Sequence, residues 1–128
     1  MAGCKFRKSE RLVSSKVIGE LFSSGSRSFS CFPVKAVYRK AAVSDGHPPV
    51  KVLTSVSKRH FKHAVDRNRA KRQIREAYRL HKDILPEVLH DKQTHLSIAF
   101  IWMSDTPQPT SRVAASVERL LRIISERL

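Results

Sequence analysis

Apolar and polar positions recur along this chain with two periods, and each change of period marks off an element. Val17, Ile18, Leu21 and Phe22 repeat at helical spacing, Ser14 is placed to cap the first turn, and Gly25 suits the left-handed position after the last. An N-terminal helix is predicted there. The segment before it, residues 1–12, is polar and basic around Phe6 and Leu12 and reads as an extended arm. Residues 23–30 read as a polar turn region. Phe32, Val34, Ala36 and Tyr38 then alternate with Pro33, Lys35, Val37 and Arg39, the period of a strand. Pro33 has no N–H to give to a ladder, so this strand starts at an edge or just past that residue. A turn over residues 44–49 leads to Val50, Val52, Thr54 and Val56, a second alternation expected to pair with the first as a hairpin.

The period then lengthens again. Ala70, Ile74, Ala77 and Tyr78 fall on one face of a helix that opens between Phe61 and Ala64 and runs to about Lys82, with Pro86 beyond it. Ile84, Leu85, Val88 and Leu89 have the makings of one more short turn. Leu96, Ile98, Ala99, Phe100, Ile101 and Trp102 form a nearly continuous apolar run of strand length, the pattern of a central strand. Thr106 and Pro109 interrupt the chain. Val113, Ala114, Val117, Leu120, Leu121, Ile124 and Leu128 then make a helical stripe, with Thr110 or Ser111 to cap it. The order α-β-β(-β)-α-β-α predicts an α+β fold, a small mixed sheet packed with three helices, in one domain spanning residues 1–128.

Charge changes this picture most in the helix after Phe61. Arg67, Lys71, Arg75 and Arg79 follow at steps of four, with Asn68 and Arg72 beside them. Like charges at that spacing repel by about a few tenths of a kcal/mol per pair, so helix stability does not call for the arrangement. Asp66 and Glu76 offset it only in part. A solvated basic face would explain an ordinary charge run; six Lys or Arg between positions 67 and 79 look built to meet a polyanion. Arg67 and Arg69 lie off the apolar stripe, so their removal is expected to spare the fold. The whole chain repeats the bias: 25 Lys and Arg against 11 Asp and Glu, a formal net charge of +14. Nucleic acid is the first partner to consider and a membrane surface the second. No apolar run approaches the roughly 18 to 20 residues that span a bilayer, and no signal-peptide core opens the chain, so a cytoplasmic location is expected. Cys4 and Cys31 form no Cys-x-x-Cys motif and are read as reduced thiols.

Groups for catalysis do not converge in this sequence. Acids are few and scattered, and the four glycines make no phosphate-binding loop. His60 and His63 have a spacing that a metal site can use, but no Cys or acid with ligand spacing follows; histidines beside phosphate-binding arginines are the better reading. Neither a catalytic residue nor a metal ligand is assigned.

The run Arg67-Asn68-Arg69, then Lys71-Arg72 and Arg75-Glu76, preceded by Val56-Ser57-Lys58-Arg59 and Ala64-Val65, resembles the signature of the bacterial ribonuclease P protein subunit. The similarity extends more weakly to Phe6, Arg11-Leu12, Phe22 and Gly25 and so covers most of the chain. Two positions depart from the family pattern: Leu53, where members often have glycine, and Ile18, where many have an aromatic residue. The resemblance implies a protein that assists an RNA enzyme in cutting the 5′ leader from precursor tRNA, with magnesium held by the RNA. Its partners would be the ribonuclease P RNA and precursor tRNA, with no DNA, no membrane and no obligate protein partner. It also implies a left-handed crossover between the strands on either side of the basic helix. In this sequence Lys58, Arg59, Arg67, Asn68, Arg69, Lys71, Arg72 and Arg75 would grip RNA. Ile18, Phe22, Phe32, Lys35 and Tyr38 are candidates for the single-stranded leader, because extended nucleotides need stacking partners and cations. On an apolar helical stripe Phe22 is equally suited to a core. Two other classes share part of this pattern: a ribosomal or other structural RNA-binding protein, and a DNA-binding module. The second is disfavoured by the strand, rather than a helix, that precedes the basic helix.

Overall fold

The structure, a computed structural model, describes residues 26–42, 50–85 and 94–127. Strands β1 (Arg27–Cys31), β2 (Val34–Ala42), β3 (Val50–Ser55) and β4 (Thr94–Trp102) form one four-stranded sheet in the order β1-β2-β4-β3. Helix α1 (Ala64–His81) lies between β3 and β4 in the chain, and α2 (Thr110–Arg127) follows β4. The mixed-sheet α+β architecture agrees with the reading from periodicity. The predicted N-terminal helix, the turn over residues 44–49 and the short turn at Val88 and Leu89 lie outside the described residues.

Two strand expectations are corrected. Residues 27–31 are not a turn but β1, antiparallel to β2 in a register that sets Phe29 opposite Ala36. Nor do β2 and β3 form a hairpin. The apolar strand β4 is inserted between them, antiparallel to β2 and parallel to β3. Parallel neighbours need a long connection, which α1 supplies as the crossover from β3 to β4. Pro33 lies in the turn just before β2, where its missing N–H costs the ladder nothing.

Pleating sends alternate side chains to opposite faces. Val34, Ala36, Tyr38, Val50, Val52, Leu96, Ile98, Phe100 and Trp102 share one buried cluster with Ala70, Ile74, Ala77 and Tyr78 of α1 and Val113, Val117, Leu120, Leu121 and Ile124 of α2. Every member of the α1 apolar stripe is buried. On the other face Val37 and Ala99 pack with Leu53 and Ile101. Leu53 is therefore a packing residue, and its side chain fills space that glycine would leave open.

Candidate nucleic-acid interface

Register places the basic groups. Val34 pairs with Trp102 and Ser55 with Ile101, so β2 begins where β3 and β4 finish. The loops of residues 56–63 and 103–109 and the first turns of both helices gather at this end of the sheet. His60 Nδ1 stands 2.7 Å from Asp105 Oδ1. Met103 N donates to Pro33 O at 2.8 Å, and the Phe61 and Trp102 rings meet at 6.0 Å.

The loop before α1 is tied to itself. Ser57 O accepts from His60 N and Phe61 N, and Ser57 Oγ accepts from Arg59 N at 3.1 Å. Arg67 Nη1 donates to Phe61 O at 2.8 Å and Lys62 O at 3.0 Å. This corrects the expectation for Arg67: three residues before Ala70 it falls in line with the stripe of Ala70, Ile74 and Tyr78, half-buried, and its guanidinium holds two backbone carbonyls in place. The opposite loop is equally well tied. Ser104 Oγ donates to Thr106 O at 2.8 Å and accepts from Thr106 N at 3.1 Å and Gln108 Nε2 at 2.9 Å. Trp102 Nε1 donates to Ser104 O, and Gln73 Nε2 of α1 reaches Gln108 O and Thr110 Oγ1 at the start of α2.

On this scaffold Lys58, Arg59, Asn68, Arg69 and Arg72 are exposed, while Arg67, Lys71 and Arg75 are half-buried. Helical geometry explains the split. Arg67, Lys71 and Arg75 run along one flank of α1, Asn68 and Arg72 ride its crest, and Arg69 stands on the other flank with Gln73. Of the acids on α1, Glu76 is committed to an ion pair with Arg79 one turn away. The hydrogen bond from Arg79 holds its carboxyl below the usual carboxylate range. Among the described residues, no carboxylate pairs with Lys58, Arg59, Arg69, Lys71 or Arg72. The result is a cationic surface on a rigid base, matched to phosphate oxygens. No three His, Cys, Asp or Glu side chains among the described residues are grouped to hold a metal ion.

The leader candidates do not stand together. Ile18 and Phe22 lie outside the described residues. Lys35 projects from the sheet face that carries Val37, away from α1 and α2. Tyr38 is a correction: only 3% of it is exposed, and its ring lies in the core, stacked at 6.0 Å on Phe29. Even-numbered residues of β2 face the helices, so this side chain offers no platform to a nucleotide. Phe32 occupies the turn between β1 and β2, 49% exposed, with the Arg112 guanidinium 5.0 Å from its ring centre. In the sequence Arg112 is one of four arginines beside the apolar stripe of α2, a decoration of a packing helix unless RNA passes nearby. Its nearness to Phe32 has no local signal, because 80 positions of chain separate them.

A family model described as Ribonuclease P matches residues 6–124. The ribonuclease P protein component of Porphyromonas gingivalis is 39% identical over 122 residues, covering 91% of this chain and 84% of that protein. That of Chlorobaculum tepidum is 35% identical over 120 residues, covering 87% and 77%. The solved fold of the ribonuclease P protein from Thermotoga maritima superposes with a TM-score of 0.68 at 20% identity, covering 89% of this chain and 96% of that one. The Staphylococcus aureus protein gives 0.68 at 21% identity, covering 90% and 94%. Sequence, fold and the cationic surface lead to one assignment: the chain belongs to the family of ribonuclease P protein components, subunits of the endoribonuclease that processes the 5′ leader of precursor tRNA.

Proposed function

We propose that the cationic end of the sheet grips the backbone of the ribonuclease P RNA. In this reading Lys58, Arg59, Asn68, Arg69, Lys71, Arg72 and Arg75 meet phosphate and ribose oxygens, and Arg67 holds the loop that presents them. The observation that carries it is that Lys58, Arg59, Arg69, Lys71 and Arg72, on α1 and the loop before it, have no carboxylate partner among the described residues. Folded RNA offers a dense array of acceptors but few readable base edges, so guanidinium forks at fixed spacing suit it better than a base-reading helix.

Lys35, on the opposite sheet face, serves the precursor tRNA leader together with the N-terminal helix predicted around Ile18 and Phe22. That helix would be the third of the fold, and the crossover through α1 is taken as left-handed by family likeness. The chain supplies binding and positioning, while cleavage and its magnesium belong to the RNA. The test is reconstitution. RNA-free protein should leave precursor tRNA intact in magnesium, and adding ribonuclease P RNA should release leader at a rate that the protein raises at low magnesium. Cleavage by the RNA-free protein would overturn the reading.

A further inference from the structure

The turn between β1 and β2 carries an aromatic ring that the core does not use. Phe32 is 49% exposed, and Met103 beside it, on the residue whose N–H bonds Pro33, is 40% exposed. Arg112 lies over the ring at 5.0 Å, with no carboxylate partner among the described residues. Two separate segments thus bring a ring and a guanidinium together, and a third ties the exposed Met103 to the same turn through its backbone. Two tertiary features hold them. Met103 N is bonded to Pro33 O, and the Ser104–Gln108 hydrogen bonds fix where α2 begins and so where Arg112 stands. The group lies at the same end of the sheet as His60, Lys58 and Arg59.

An exposed ring held beneath an arginine suits a nucleobase, because both the ring face and the guanidinium plane stack on bases, and stacking tolerates any base identity. A protein ligand would ask for acidic groups to answer Arg112 and its cationic neighbours. RNA answers with phosphate and supplies the base as well. The geometry points to Phe32, Arg112 and Met103 as a stacking site for an unpaired base of the ribonuclease P RNA, at the same end of the sheet as the phosphate grip of the loop before α1. This rests on the function proposed above and adds a base contact to it. The catalytic RNA is favoured over the leader because Phe32 lies at the same end of the sheet as that phosphate grip, whereas Lys35 projects from the opposite sheet face.

The test is equilibrium binding of the full chain to ribonuclease P RNA without substrate, at several salt concentrations. Phe32→Leu should weaken binding roughly 5- to 100-fold, the loss of one stacked base, with an unchanged salt slope because no phosphate contact is lost. Phe32→Trp should bind within about threefold of the unsubstituted chain, and its new indole should be quenched when RNA is added. The only native tryptophan, Trp102, is 1% exposed and should stay silent. Equal binding by Phe32→Leu, or an unquenched Phe32→Trp, would overturn the inference while leaving the phosphate grip intact. A loss seen only with precursor tRNA, and scaling with leader length, would overturn it in favour of the leader. A parent chain that failed to bind the RNA at all would overturn the proposed function first and this site with it.

Discussion

Arg67 and Arg69 are two residues apart and chemically identical, yet they have different work. Arg67 donates to Phe61 O and Lys62 O, whereas the Arg69 side chain is exposed on the other flank of α1. Arg67→Ala should therefore lower stability by about 1 kcal/mol, the scale of charged hydrogen bonds discounted for partial exposure. Arg69→Ala should leave the melting temperature unchanged or raise it slightly by relieving like-charge repulsion. Both should weaken RNA binding, and thermal melts beside binding curves would separate the roles. Equal melting temperatures for the two variants would refute the anchoring role of Arg67. Tyr38 offers a second contrast. Its hydroxyl is buried without a hydrogen-bond partner among the described residues, so there it contributes a desolvation cost and no bond. Tyr38→Phe should be neutral or stabilise by about 1 kcal/mol in denaturant unfolding. A clear loss of stability would show that the oxygen has a partner after all.

At the scale of an element, α1 carries its charge with little internal compensation. Its ion pair Glu76–Arg79 lies within the last turns, leaving the first turns to the cations that face outward. The carboxyl of Glu76 is held below the usual carboxylate range, first by the hydrogen bond from Arg79. A depressed carboxylate adds stability above its unfolded pKa and loses it as pH falls through the folded one. Glu76→Gln should then cost a few tenths of a kcal/mol at pH 7, about 1 to 3 °C in melting temperature, and nothing at pH 3. An equal cost at both values would mean that Glu76 acts through packing rather than charge. In α2, the Arg122 hydrogen bond to Glu118 and then the nearby His81 lower the Glu118 pKa in the same direction, so this pair too weakens in acid.

For the whole molecule, a net charge of +14 and a surface rich in exposed cations make RNA binding a matter of counterion release. With about five to seven phosphate contacts, the logarithm of affinity should fall against the logarithm of salt with a slope of roughly −4 to −6. Titration of ribonuclease P RNA across about 50 to 300 mM monovalent salt would measure it. A flat line would exclude a phosphate-dominated interface. Removing Lys58 or Arg72 should lower the slope by about one each, as expected for single phosphate contacts.

What the sequence determined by itself is everything governed by local period and local charge. The stripe Ala70, Ile74, Ala77 and Tyr78, the boundaries of α1, the apolar run of β4 and the packing face of α2 all follow from spacing, because a helix or strand converts spacing into faces without help from distant residues. The cationic run needed only counting, and with the Ser57-Lys58-Arg59 segment it was already specific to one family. Tertiary structure decided what depends on which distant segments meet. β4 entered between β2 and β3 because a parallel pair can form through a helical crossover, an option that strand alternation does not distinguish from a hairpin. That insertion set the faces of β2, burying Tyr38 and leaving Lys35 outward. β1 reads as a polar turn because Ser28 and Ser30 alternate with Phe29 and Cys31 on a strand of exposed and half-buried positions only. Arg67 became an anchor only when the loop before α1 folded back within reach of its guanidinium. Phe32 and Arg112 became one site only when β4 brought the start of α2 beside the turn into β2.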